Sequence, residues 1–253
     1  MSIDSAEPTM KTSGCYIWAM PPIIALFDID GTLLRAGGAG RRAVELALDE
    51  VLDDLDADVS LESVEFAGRT DPWIVRTALL QYGVAADDGL IHEVLRRYVA
   101  HLPRELQLAT AFEVLPGVLS LLSELSARED VILGLGTGNT QPAAYAKLAR
   151  GGLDSFFSFG GFGSDHADRA ALLRVGLERG LERCAEPQGR ERVVVVGDTP
   201  HDVAAAHAIG AACVAVSTGG YDGFALEAAG ATVVVSDLGC AAVRAAFEPT
   251  ASR

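Results

Sequence analysis

The chain has 253 residues, 49% hydrophobic and 22% charged, with a formal net charge of −15. That balance describes a soluble globular protein, long enough for one large domain or a core with a smaller one. It excludes a nucleic-acid binder, which needs basic patches, and no apolar stretch is long enough to span a membrane. A small phosphorylated substrate stays open, because one cation and a few donors can handle it locally.

Residues 1–20 contain Asp4, Glu7 and the short patch Tyr16-Ile17-Trp18-Ala19-Met20. They make a poor signal peptide and are expected to form a flexible tail. Ile23-Ile24-Ala25-Leu26-Phe27 then runs into Asp28-Ile29-Asp30-Gly31-Thr32-Leu33. An apolar run ending in two carboxylates and a Gly-Thr turn reads as a strand delivering acids to a sheet edge. Residues two apart on a strand point to the same side, so Asp28 and Asp30 share one pocket. That suits a nucleophile beside a proton shuttle, or two groups around a cation.

Residues 40–114 have another texture. Arg41–Leu55, Asp71–Tyr82 and Asp87–His101 show helical spacing of apolar residues, with no convincing buried strand. Asp71-Pro72 is a good helix start and Gly83 a good stop. The acidic run Asp53-Asp54-Leu55-Asp56-Ala57-Asp58 lacks the glycine and terminal glutamate of a calcium loop and reads as a solvated helix end.

Pro116-Gly117 marks the return to a core, with Val118–Leu125 as a helix. From there, short apolar runs alternate with Gly-rich turns and helices. The runs are Val131–Leu133, Val193–Val196, Cys213–Val216 and Thr232–Val235, with Phe156–Phe159 a further candidate. Together with Ile23–Asp28 they predict an α/β fold: a doubly wound, Rossmann-like parallel sheet covered on both faces. The expected division is a tail at 1–20, a core at 21–39 and 115–253, and a helical insert at 40–114. Ligands bind at the carboxyl ends of such strands, so the insert can roof the site.

Two further segments put polar groups at strand ends. In Leu135-Gly136-Thr137-Gly138-Asn139, the Thr137 hydroxyl and the Gly138 and Asn139 N–H groups can cradle a phosphoryl oxygen. In Gly197-Asp198-Thr199-Pro200-His201-Asp202, Asp198 sits where the strand ends and Asp202 follows the turn; Asp202 can also cap the next helix. With Asp28 and Asp30, so many carboxylates need a cation in a dry pocket, and Mg²⁺ is expected for an all-oxygen donor set. Of the 20 Lys+Arg residues only Lys11 and Lys147 are lysines. Lys147, in the helix after Thr137, can supply a compact positive charge to a phosphoryl group. The cysteines (Cys15, Cys184, Cys213, Cys240) form no metal or disulfide pattern, and Cys213 is expected as a buried thiol in a reducing cytoplasm.

These segments together resemble the haloacid dehalogenase-like superfamily of phosphohydrolases, over nearly the whole chain after Pro21. The resemblance implies that Asp28 attacks phosphorus to form an aspartyl-phosphate. Asp30 protonates the leaving alcohol and then activates water. Mg²⁺ is held by the Asp28 carboxylate, the Asp30 main-chain carbonyl and Asp198, with Asp202 supporting them. Thr137 hydrogen-bonds the phosphoryl oxygens, and Thr32, Gly138, Asn139, Arg69 and Arg169 are candidates for substrate binding. The insert matches the helical cap of the phosphoglycolate-phosphatase-like branch, in which Gly68-Arg69-Thr70-Asp71 resembles a segment that can face the site. The sequence departs from many relatives at the basic residue: Arg169 has the nearer spacing, but no Lys-Pro pair follows it. Lys147 is the choice here, since a flexible point charge suits the role better than a planar fork. His166 and His201 lie beside motif residues but are expected outside the chemistry.

The leading function is a phosphatase acting on a small phosphorylated metabolite. The alternatives are a phosphomutase using the same two aspartates, or a catalytically silent binding scaffold. Retention of all the acids speaks against the scaffold, since unused clustered carboxylates only cost stability.

Overall fold

Strand β1, Ile23–Phe27, lies inside a six-stranded parallel sheet, and its sequence explains why. Ile23, Ala25 and Phe27 enter one apolar cluster while Ile24 and Leu26 enter another on the opposite face. A strand buried on both faces must be apolar throughout. The computed structural model describes residues 22–52, 59–184 and 192–248. The expected tail, Lys11, Cys15 and the acidic run at 53–58 lie outside the described residues.

Along the chain follow β2 Leu34–Ala36, α1 Ala39–Val51, α2 Asp71–Gln81, α3 Asp88–Leu108 and β3 Phe112–Val114. Next come α4 Val118–Ser126, β4 Val131–Thr137, α5 Gln141–Gly151, a short 3₁₀ turn at Asp154–Phe156 and β5 Gly160–Phe162. The last third comprises α6 Arg169–Leu181, β6 Arg192–Gly197, α7 Pro200–Ala208, β7 Ala212–Val216, α8 Gly223–Ala228, β8 Val233–Val235 and α9 Ala241–Ala246. The sheet order is β5-β4-β1-β6-β7-β8, so β1 is flanked by β4 and β6. Phe27 registers with Leu135 on one side and Val196 on the other. The carboxyl ends of these three strands therefore open at one place, as ligand sites in open α/β sheets do.

Three details differ from the sequence reading. The strand expected at Phe156–Phe159 forms instead at Gly160–Phe162, because glycines there let α6 lie directly against the sheet. Helix α3 runs through Pro103 to Leu108, beyond the expected stop at His101. Buried Leu102 and Leu106 continue its apolar face, and that packing outweighs the one backbone hydrogen bond a proline removes. The ends of the helical insert are joined by a short antiparallel ribbon of β2 with β3, too brief to show in the periodicity. Helices α1, α2 and α3 share the larger apolar cluster with the sheet, through Val44, Ile74 and Leu102 among others. Cys213 is buried as expected, and burial pushes its thiol up to about 12. Among the described residues no helix is long and apolar enough to cross a membrane.

Gly161 is the tightest contact of the sheet with α6: a Cβ there would lie 1.8 Å from the Leu172 carbonyl oxygen. Gly161→Ala is expected to cost roughly 1–3 kcal/mol by overpacking, read as a lower urea midpoint. Gly223→Ala, whose added carbon meets Val234 at an ordinary 3.5 Å, is expected to change stability by less than about 0.5 kcal/mol.

Candidate active site

Asp28 leaves β1 with its N–H bonded to the Val196 carbonyl at 2.9 Å, so the strand ladder delivers its carboxylate to the mouth of the sheet. It is only 5% exposed. Asp198 leaves β6 beside it, 3% exposed, and Asp202 begins α7 below. One oxygen from each of the three carboxylates falls within 4.8 Å of the others. Burial raises the pKa of Asp28 and of Asp198, and neighbouring carboxylates add to both.

Arg169 answers part of this charge. It is the first residue of α6, whose start is set by the Asp168 side chain accepting from the Ala171 N–H at 2.8 Å. Its Nη2 lies 3.0 Å from Asp28 Oδ2 and 2.6 Å from Asp202 Oδ1, and its Nε donates to the latter at 2.7 Å. Burial opposes its charge, but Asp202 and then Asp28 hold its pKa above the ordinary arginine value. Asp202 is doubly engaged: its Oδ2 accepts from the Thr199 N–H at 3.0 Å and hydroxyl at 2.7 Å, in a capping box. The helix-capping and site readings of Asp202 are thus both present in one side chain.

Asp30 has a different neighbourhood. Its side chain is 43% exposed, and its Oδ2 accepts from Lys147 Nζ at 2.6 Å and Asn139 Nδ2 at 2.9 Å. Lys147 also donates to Asn139 Oδ1 at 2.6 Å. It shares the buried face of α5 with Ala143, Ala144 and Leu148, and so the helix aims it inward. Both candidate cations therefore reach the site, each on its own acid: Arg169 at Asp28 and Lys147 at Asp30.

Three expected substrate or metal contacts stand behind the cavity wall. Thr32 is fully buried and donates to Asp198 Oδ1 at 3.2 Å, so in this structure it positions a carboxylate. Thr137 is likewise buried and accepts from Asn139 Nδ2 at 2.8 Å, orienting the amide that holds Asp30. Asp202 is the third. Asp198 Oδ2 accepts no hydrogen bond from the described residues, and Gly219 lets the chain pass against it: a Cβ there would lie 1.6 Å away. Three buried carboxylates with one guanidinium and an unclaimed oxygen form the donor set a hard divalent cation takes.

The match in residues goes further than geometry. A protein-family model described as haloacid dehalogenase-like hydrolase matches residues 24–210. The chain belongs to this family. Phosphoglycolate phosphatase of Rhodospirillum rubrum is 33% identical over 225 residues, covering 85% of this chain and 88% of its own. That of Synechococcus elongatus is 32% identical over 206 residues, covering 81% and 88%. In fold, the crystal structure of CbbY from Rhodobacter sphaeroides in complex with phosphate is similar at a TM-score of 0.62 and 20% identity, covering 87% of this chain and 96% of that one.

A cavity of about 380 Å³ opens over Asp28 and Asp30, walled on the far side by the helical insert. Gly138, Asn139, Lys147 and Arg169 line it from the core, Arg41, Arg69 and Tyr98 from the insert. Arg69 is held by Glu65 at 2.6 Å and lies over the Trp73 ring at 4.4 Å. His166 is exposed and accepts from the Asp168 N–H at 2.8 Å; His201 is half-buried beside Gly68, and neither takes part in the acid cluster.

The sequence marks Asp71 as a helix start and as the end of a segment resembling one that can face the site. Its carboxylate accepts from the Thr140 N–H at 2.7 Å, and its own N–H donates to the Gly138 carbonyl at 2.8 Å. Thr70 donates to the Ala167 carbonyl at 3.1 Å. The segment Gly68–Asp71 is thus stitched to the strand-end loop that carries Asn139. An Asp-Pro pair announces a helix N-terminus, but nothing local announces a partner 69 residues away.

Burial raises Asp71 to about 6 from its ordinary 3.8, against the attraction of Lys147. Between these values the unfolded chain ionises first, so stability falls as pH rises from about 4 to 6. Asp71→Asn keeps the acceptor without the titration. Its stability relative to the parent is expected to grow over that window by on the order of 2–3 kcal/mol and then level off. Urea unfolding of both proteins at a series of pH values checks this, and a flat difference would refute it.

Proposed function

We propose that this protein is a Mg²⁺-dependent phosphatase that hydrolyses a small phosphate monoester through an aspartyl-phosphate at Asp28. The observation that carries the reading is the unequal treatment of two acids on one strand end. Asp28 is buried against a guanidinium at 3.0 Å, whereas Asp30 faces the cavity with one oxygen held and the other accepting nothing from the described residues. The family membership and the names of the relatives support the same chemistry.

In this reading an Asp28 carboxylate oxygen attacks phosphorus as the ester P–O bond breaks, and Asp30 gives its proton to the departing alkoxide. Water then attacks phosphorus, Asp30 takes its proton, and the P–O bond to Asp28 breaks, releasing inorganic phosphate. Arg169 orients Asp28 and offsets charge gathering at the phosphoryl group. Lys147 and Asn139 hold Asp30 Oδ2, turning Oδ1 toward the leaving group. Gly138 and Asn139 line the cavity, which supports a role for this loop beside the phosphoryl oxygens, although the Asn139 N–H also donates to the Thr137 hydroxyl at 3.3 Å. The donor set fits magnesium, which Asp28, Asp198 and the Asp30 main-chain carbonyl would hold, with Asp202 behind; bound there it would supply positive charge to the phosphoryl group. Residues 40–114 act as a cap over a core made of 21–39 and 115–253. A small phosphorylated metabolite such as phosphoglycolate, the substrate in the relatives' names, fits within the cavity.

Release of inorganic phosphate from a panel of monoesters tests this. Turnover is expected with Mg²⁺, falling to background in excess EDTA and in Asp28→Asn. No release from any ester by a folded protein refutes the phosphatase; full activity in EDTA refutes the metal; transfer between sugar positions without release makes it a mutase. Asp30→Asn is expected to lower kcat by about 10²–10⁴-fold, the usual contribution of a positioned acid/base. A loss under about threefold would remove Asp30 from that role.

A further inference from the structure

The cavity has one polar group on its insert side that the protein leaves uncommitted. Arg35 faces Glu113, Arg69 faces Glu65, and Arg41 donates to the carbonyls of Leu61 and Val64 over the Phe66 ring. Asp71 accepts from Thr140. Tyr98, on α3, is 1% exposed, and its hydroxyl makes no hydrogen bond with any described residue, yet it lines the cavity.

The hydroxyl borders the cavity and is not sealed in the packed interior, so it offers a donor there that phenylalanine, with the same packing, would lack. Its position is specific. A carbon placed on Gly40, at the cavity wall, would lie 3.6 Å from Lys147 Nζ and 4.0 Å from Tyr98 Oη, so the ammonium and the phenol border the same space. Lys147 in turn touches Asp30, where the leaving group departs. Burial, reinforced by Asp71 and Asp30, keeps the phenol protonated and therefore a donor.

Building on the phosphatase reading, we propose that Tyr98 is a specificity-determining residue: its hydroxyl donates to an oxygen on the carbon next to the ester-bearing carbon of the leaving group. Lys147 borders the same oxygen, so a carboxylate or carbonyl is preferred there over a plain alkyl group. The bare backbone of Gly40 keeps the space open. A site built around a donor discriminates strongly against the analogue that lacks the acceptor, because the buried donor is then stranded.

Binding measured by titration calorimetry in the Asp28→Asn background, with Mg²⁺ present, separates this from turnover. The probes are 2-phosphoglycolate and ethyl phosphate, which share a two-carbon skeleton but differ in the carboxylate oxygens. Adding Tyr98→Phe is expected to weaken 2-phosphoglycolate at least about tenfold more than ethyl phosphate, with the melting temperature of the folded protein retained. Gly40→Ala, which narrows the same space, is expected to act in the same direction. Equal loss for both esters, or no loss for either, would overturn the assignment. A failure of the unsubstituted enzyme to release phosphate would overturn the phosphatase reading instead, while leaving the binding difference readable.

Discussion

The contact of Arg169 with Asp28 and Asp202 is the interaction on which the rest of the site depends. Three carboxylates buried at neighbouring strand ends repel one another and lose hydration, and one guanidinium offsets only part of that cost. Its planar fork spans two acids from two elements, which a single ammonium does less well. The remaining negative charge suits the divalent cation proposed for this place. The capping box at Thr199 completes the arrangement by pinning the far oxygen of Asp202.

The second acid is organised by a separate network. Thr137 orients Asn139, Asn139 and Lys147 hold Asp30, and the backbone of the same loop bonds Asp71 from the insert. Position of the insert and orientation of the acid are thus coupled through one short loop after β4. A shift of the Gly68–Asp71 segment would therefore reach the loop that carries Asn139 and, through it, Asp30.

Most of the core could be read from the residues alone, because its strands are buried on both faces and so are apolar without interruption. The acids were legible for a related reason: each follows such a run directly, and strand ends in a parallel sheet converge. The division of labour between Lys147 and Arg169 was not. Both are visible as candidate cations, but assigning each to an acid requires knowing that the first residue of α6 meets Asp28 after β1 and Asp202 in α7, while Lys147 on α5 meets Asp30. Thr32 looked like a substrate contact because it sits in the motif; its partner Asp198 is 166 residues away. The strand at Gly160–Phe162 was displaced in the reading because its glycines carry no apolar signal, and Tyr98 had none of its own within an amphipathic helix. In each case the missing information is a tertiary neighbour.

The central claim is that Asp28 is the nucleophile, placed there by the strand and charged against Arg169. Quenching the enzyme in acid during turnover and reducing with borohydride converts an aspartyl-phosphate to homoserine, which peptide mass spectrometry locates. The account requires homoserine at Asp28, appearing only when substrate is present. Modification at Asp30 or Asp198 instead, or turnover with no reducible acyl phosphate at any residue, would contradict it.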